Sequence, residues 1–364
     1  MGLAEIRVPS PASGVETVEH TKRGLKELLG DERFWIQSRL PITKRRAISQ
    51  VSNPRAEDDD TVLITAYCYG ELVAYLGILP DSVVIESREP VKFGWLTAWW
   101  ADKRSEYRLA GMKVLVAAMK KYPNRLAASS PVTEAAQVYT GTRRFQNGGS
   151  LNSACFVIAL PPSLPVLGNL SRWLAGRKNQ LILGRQSAKR GLDIQIVQTL
   201  DGENESFINK RATEDPLRRD SSYWNWVLRF PWMSANSDDE VAQRSYAFSV
   251  FARDFKQIPM FIRRLGTIIA FLFMILREGR LVLKCAWYKP SDISDVAVAL
   301  REAVADLNPW LFVCADADLC ARLAGGVPFY TAKRMRTSAI YAANRLPLPP
   351  ACRLQLGAGD SIFT

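Results

Sequence analysis

The stretch that decides the fold is residues 91–145, VKFGWLTAWWADKRSEYRLAGMKVLVAAMKKYPNRLAASSPVTEAAQVYTGTRRF. It opens on Val91–Trp100, an apolar, aromatic-rich run that predicts a strand, and passes into a polar loop, Asp102–Glu106. Met112, Leu115, Val116 and Met119 then fall on one face of a helix over Gly111–Lys121, which Tyr122-Pro123-Asn124 stops. Arg125–Ser129 predicts a short strand, Thr133–Tyr139 a helix and Ala154–Leu160 a closing strand. A strand, loop and helix in this order can cradle a diphosphate. The loop N–H groups and the positive helix end face the anion, and small residues let the backbone come close.

Upstream, apolar and charged residues at helical spacing predict a helix near Glu16–Leu29. The acidic run Glu57–Asp60 marks a solvated turn, and Val62–Tyr69 and Leu72–Leu79 read as a hairpin turning at Gly70-Glu71. Downstream, strands are expected at Tyr246–Arg253, Met260–Arg264, Thr267–Leu276, Arg280–Tyr288 and Trp310–Ala315. Helices are expected at Ile293–Leu307 and Asp318–Leu323, and Tyr223–Trp226 and Phe230–Trp232 anchor a helix and turn. The apolar run Leu265–Leu276 is too short to span a bilayer and reads as a buried strand.

With 364 residues, 48% of them hydrophobic, and 15 Phe, 11 Tyr and 10 Trp, the chain can build two sizeable cores and is not a disordered polymer. Its net charge of +12 favours phosphorylated ligands, nucleic acid or an anionic surface. The six cysteines show no Cys-x-x-Cys spacing, and the single histidine, His20, lies near the start of the sequence, where a loose end is expected, so neither a metal site nor Ser-His or Cys-His catalysis is expected. The cysteines read as reduced thiols of a cytoplasmic protein.

The two halves repeat. Ala98-Trp99-Trp100 matches Ala286-Trp287-Tyr288, and the helix ending at Tyr122-Pro123-Asn124 matches the one ending at Leu307-Asn308-Pro309. Leu126–Ser129 matches Leu311–Cys314, and Phe156–Leu160 matches Ile340–Ala343. The expected fold class is therefore α/β (α+β), with two tandem mixed-sheet domains and flanking helices: residues 1–160, a basic linker at 161–205, and residues 206–364. Residues 161–192 carry six basic residues and no acidic one. They read as a linker with one amphipathic helix, or as a peripheral contact with an anionic membrane face.

Residues Arg108-Leu109-Ala110-Gly111-Met112-Lys113 resemble the Arg/Gln-x-x-Gly-x-Gly/Ala loop of the GNAT acyltransferases, with Lys113 in place of the last small residue. Ala136-Gln137-Val138-Tyr139 and Phe145 resemble that family's Ala-x-x-Leu-Tyr…Gly-Phe segment. The resemblance implies acetyl-CoA or another acyl-CoA as co-substrate. Its pantetheine would run along Trp99, Trp100 and Ala101, its diphosphate would meet Arg108, Leu109, Gly111, Met112 and Lys113, and Tyr139 would be general acid to the departing thiolate. The general base stays open among Glu71, Glu86, a water and the second half. That half leaves no room for a phosphate loop after Tyr288, so it is expected to bind no CoA and to shape the acceptor site.

The implied activity is acyl transfer to a small-molecule amine. Phe93–Trp100 resembles bacterial members of surface-polysaccharide biosynthesis, which implies an amino-sugar acceptor, nucleotide- or lipid-linked. Two other readings are a Fem-like aminoacyltransferase fed by aminoacyl-tRNA, against which the missing helical arm counts, and a non-catalytic scaffold of the same fold.

Overall fold

The computed structural model describes residues 14–84, 89–104, 107, 109–160, 186–325, 328–329, 332–346, 348–349 and 354–363, with 170–171, 173–174 and 176–177 between. Its strands form one twelve-stranded mixed sheet, ordered β1-β2-β3-β4-β5-β12-β6-β11-β10-β9-β8-β7. The first half supplies β1 (Glu16–Thr21), β2 (Thr61–Cys68), β3 (Glu71–Val83), β4 (Val91–Ala101), β5 (Leu126–Ser129) and β6 (Phe145–Val157). The second supplies β7 (Leu192–Ile196), β8 (Phe255–Arg264), β9 (Thr267–Arg277), β10 (Arg280–Tyr288), β11 (Leu311–Cys314) and β12 (Ala332–Ala343). Among the described residues the helices are α1 (Lys22–Leu28), α2 (Glu32–Trp35), α3 (Lys44–Val51), α4 (Ala110–Lys121), α5 (Thr133–Gly141), α6 (Gln186–Lys189), α7 (Gly202–Ala212), α8 (Ser221–Arg229), α9 (Ser237–Ser245), α10 (Ile293–Leu307) and α11 (Ala317–Leu323).

The strand order reads the same from both ends under a pseudo-twofold relation. β1 to β5 correspond to β7 to β11, and β6 corresponds to β12. Each half has one parallel crossover, β4–α4–β5 and β10–α10–β11. The two closing strands are exchanged: β6 pairs with β11 of the second half, and β12 pairs with β5 of the first. They also pair with each other from Phe145↔Ala343 to Phe156↔Ala332, which joins the halves in one ladder.

Each crossover helix buries a stripe set by its spacing. Val114, Leu115 and Ala118 of α4 are completely buried against β2 and β3, and Val296, Ala299, Leu300 and Val304 of α10 do the same in the second half. At roughly 25 cal/mol per Å2 of apolar surface, such stripes are the main stabilising term for these helices. Another core, between the halves, is aromatic: Phe93, Trp95, Trp224, Trp226, Trp232, Phe271, Phe273 and Phe363. Here Arg55 binds Asp81 at 2.9 Å and donates to the carbonyls of Leu217 and Arg218, tying β3 to the second half.

Two sequence expectations fail. Glu16–Thr21 is an edge strand paired with β2, and only Lys22–Leu28 is helical, capped by the Thr21 hydroxyl. His20 therefore lies on the sheet, opposite Leu63. Its Nε2 meets Thr65 Oγ1 at 3.1 Å, and burial lowers its pKa to about 4. Tyr246–Arg253 joins no strand ladder. Tyr246, Phe248 and Val250 insert as a cover over Leu63 and Tyr75, and tertiary packing overrides the aromatic signal.

Candidate functional site

β4 is paired with β5 only at Gly94↔Leu126 and Trp95↔Ala127. Beyond Trp95 the two strands separate, so one edge of Leu96–Ala101 has no strand beside it. On its other edge β4 pairs with β3, but the register slips: Gly77 opposes Thr97 and Tyr75 opposes Trp100, leaving Ala98 and Trp99 opposite Leu76. Ala98 takes a left-handed φ of 45°, which costs a residue with a Cβ about 1–2 kcal/mol. A bulge that holds a strained residue at the mouth of a strand separation redirects backbone N–H groups out of the ladder.

The bulge sorts the side chains. Trp99 and Ala101 turn toward α4, while Ala98 and Trp100 turn toward Tyr75 on the other face. The Trp99 indole donates to the Gly111 carbonyl at 3.2 Å and stacks on Tyr139 with centroids 5.6 Å apart, so it bridges β4 to α5 across the separation. Gly111 is small for a reason. A Cβ there would meet the Ala101 Cβ at 3.1 Å and the Trp99 Nε1 at 3.5 Å.

The first turn of α4 carries no acidic residue and no side-chain cap on Leu109, leaving its N–H groups available to an anion. Leu109 is exposed and Met112 half-buried, while Lys113 turns away from that turn and donates to the Val15 carbonyl at 2.8 Å. Arg108 and Glu86 lie outside the described residues, as does most of 161–185. Tyr139 is 3% exposed, wedged among Trp99, Phe145 and Tyr341. Burial first, and then the nearby Asp360, push its phenol above the usual 10. Glu71 is exposed and pairs with Arg104 at 2.9 Å.

Across β4 from α4, a second set of residues converges that sequence reasoning missed. Arg46 of α3 is 6% exposed. It donates to Thr97 Oγ1 at 2.6 Å and Tyr246 Oη at 2.9 Å, and lies 3.7 Å over the Trp232 ring. Trp100 stacks on Tyr75 at 5.3 Å and carries Arg39 at 4.6 Å from its ring centre. Lys284 of β10 is 7% exposed, and burial lowers its pKa to about 7. Asp360, in the 3₁₀ turn Gly359–Phe363, lies within electrostatic reach of Arg46, Lys284, Tyr139 and Tyr246. Burial raises its pKa, and Arg46 and Lys284 oppose the rise. These groups sit on separate segments spread from Arg39 to Phe363, so no local motif could have found them.

The second half repeats the geometry with a difference. β10 pairs with β11 only over Arg280–Val282, and its register slips at Lys284. The Pro290–Asp292 turn leads straight into α10, and beside Ala286–Tyr288 lies a cavity of about 310 Å3, lined also by Arg211, Glu214, Asp215 and Gln355. Among the described residues no group of three or more His, Cys, Asp or Glu could hold a metal ion, and no helix is long and apolar enough to cross a membrane.

No family model and no curated protein matches the sequence. Solved structures do. A protein of Enterococcus faecalis V583 described as a probable N-acyltransferase aligns over 90% of this chain and 72% of its own, at 10% identity and a TM-score of 0.50. A GCN5-related N-acetyltransferase from Anabaena variabilis aligns over 90% and 72%, at 9% identity and a TM-score of 0.47. A putative acetyltransferase from Pyrococcus horikoshii aligns over the full length of both chains, at 10% identity and a TM-score of 0.47. The Enterococcus likeness is one of fold: this chain shares a mixed α/β architecture with that protein.

Proposed function

We propose that the protein transfers an acyl group from acyl-CoA to an amine acceptor, in the first half only. The observation that carries this reading is the unpaired edge of β4 after Trp95, bulged at Ala98 and set beside the uncapped start of α4. The pantetheine amides would pair with the free edge along Trp99, Trp100 and Ala101, and the diphosphate would sit on the N–H groups at Leu109, Gly111 and Met112. An N–H released by the bulge would polarise the thioester carbonyl as negative charge grows on its oxygen. For this, the Trp99–Tyr139 stack must part to admit the thioester.

The amine would attack from the Thr97 side, gaining chiefly from proximity and orientation, while the Tyr139 hydroxyl protonates the leaving sulfur. A phenol held above its usual pKa stays protonated at neutral pH, as an acid must. We propose an amino sugar as acceptor, because the half-buried Trp100, stacked on Tyr75 with the Arg39 cation over its ring, offers an aromatic edge and a charge to a hydroxylated ring. A nucleotide or lipid phosphate on that sugar would suit the net charge of +12.

Calorimetry with acetyl-CoA tests the reading, together with thiol release in the presence of D-glucosamine. Wild type should bind acetyl-CoA, and Tyr139→Phe should keep that affinity while slowing turnover by about 10²-fold or more. Absence of acetyl-CoA binding would overturn the function, and unchanged turnover in the variant would remove Tyr139 from it.

A further inference from the structure

The chain's C-terminal segment, Leu354–Phe363, crosses from one strand separation to the other. In the second half the Gln355 side chain pairs with the backbone of Ala286: its Oε1 accepts from the Ala286 N–H at 2.6 Å, and its Nε2 donates to the Ala286 carbonyl at 3.1 Å. Ala286 matches Ala98 in the repeat, and it lies past the last β10–β11 pair, as Ala98 lies past the last β4–β5 pair. This primary amide takes up both backbone groups of Ala286, at the strand edge where the separate amides of a pantetheine arm would otherwise pair. The second half thus carries its own substitute for the cofactor arm.

From that anchor the segment is held tightly. A Cβ on Gly357 would lie 2.5 Å from Ile362 Cδ1 and 2.9 Å from the Lys284 carbonyl. Gly359 takes φ +61°, and a Cβ there would lie 2.9 Å from Ser129 Oγ at the end of β5 and 3.2 Å from the Trp95 ring. Phe363 stacks on Trp232 at 4.5 Å, the ring over which Arg46 lies. The 3₁₀ turn therefore packs on β4 and β5 where they part, and it carries Asp360 there.

We propose that Asp360 is the proton acceptor for the attacking amine, and that Gln355 is the positioning residue that holds it at the strand separation. This rests on the acyltransfer reading above. The amine nitrogen forms a bond to the thioester carbon and passes its proton to the Asp360 carboxylate. The carbon–sulfur bond breaks, the thiolate takes the Tyr139 proton, and Asp360 and Tyr139 exchange protons with solvent to reset. The charged and titratable groups within electrostatic reach of Asp360 are Arg46 from α3, Lys284 from β10, Tyr139 from α5 and Tyr246 from the cover segment. The two cations favour the ionised carboxylate, and burial makes it a stronger base than an exposed one.

The test uses the full chain, acetyl-CoA, and D-glucosamine and ethanolamine as amines, with thiol release and calorimetry in parallel. Asp360→Asn should lower kcat by about 10²–10⁴-fold and remove the acidic limb of the kcat/KM profile, with the acetyl-CoA Kd changed less than about threefold. Asp360→Glu should restore part of the rate and bring the limb back at a shifted pH. Gln355→Ala should lower kcat by about tenfold or more with the same Kd, while Gln355→Asn restores little, because its shorter arm cannot span Ala286. An Asp360→Asn enzyme that keeps wild-type kcat and pH profile overturns the proposal and leaves the acyltransfer reading standing. Wild type that neither binds acetyl-CoA nor consumes it with either amine overturns both.

Discussion

Lys284→Met should stabilise the fold, and by an amount that depends on pH. The amine is 7% exposed, and burial holds its pKa near 7 against an unperturbed 10.5. A pKa lowered on folding means that the unfolded chain binds the proton and the folded one releases it. The penalty is therefore absent above the unfolded value, grows as pH falls toward the folded value, and is constant below it. Between those limits each pH unit is worth about 1.4 kcal/mol, so the amine costs the fold about 4 kcal/mol at about pH 7.5 and about 1.5 kcal/mol at about pH 9.5. Methionine fills nearly the same volume without a charge to desolvate. Urea unfolding of wild type and variant at the two pH values isolates this residue, because other titrations cancel in the difference. The advantage of the variant should shrink by about 2 kcal/mol or more from the lower pH to the higher. An advantage that is constant with pH, or a destabilised variant, would refute the reasoning.

Three other perturbations follow from the same physics. The His20 imidazole, lowered to about 4 from 6.5, makes the fold lose stability as pH falls through that window, by roughly 3.5 kcal/mol, and His20→Asn should flatten this in acid unfolding curves. Ala98→Gly should be neutral or stabilising by up to about 1 kcal/mol, whereas Ala98→Val should cost more than about 1 kcal/mol and weaken acetyl-CoA binding, as denaturation and calorimetry would show. Asp81→Ala leaves the half-buried Arg55 guanidinium its carbonyl partners but no counter-charge, takes the acceptor from the buried Trp95 N–H, and should cost about 3–5 kcal/mol in urea unfolding.

Much of the scaffold is legible in the sequence because it rests on local pattern. Arg280–Tyr288 and Ile293–Leu307 are a strand and a helix over those very residues, and the hairpin expected at Gly70-Glu71 forms with its turn one residue earlier, at Tyr69-Gly70. Glu16–Thr21 misleads because six residues of mixed polarity fit a period of two and of 3.6 alike, and pairing with β2 decides between them. The exchange of β6 and β12 leaves no trace in composition, since both are antiparallel neighbours of short strands and either partner would bury the same faces. At the site, Trp99, Gly111 and Tyr139 meet in space as their order along the chain suggests. Lys113 faces Val15 instead, because its position on α4 points it along the helix side toward β1. Asp360 and Gln355 sit in a short irregular segment with no periodicity, and only the fold brings them to β4 and β10.

The most direct test of a single acyl-CoA site is the stoichiometry of acetyl-CoA binding by titration calorimetry on the full chain. One molecule per chain is predicted, bound more weakly in Ala98→Val and unchanged in Gln355→Ala. No binding would contradict the account, and two molecules per chain would show that the second half holds a cofactor where Gln355 is placed.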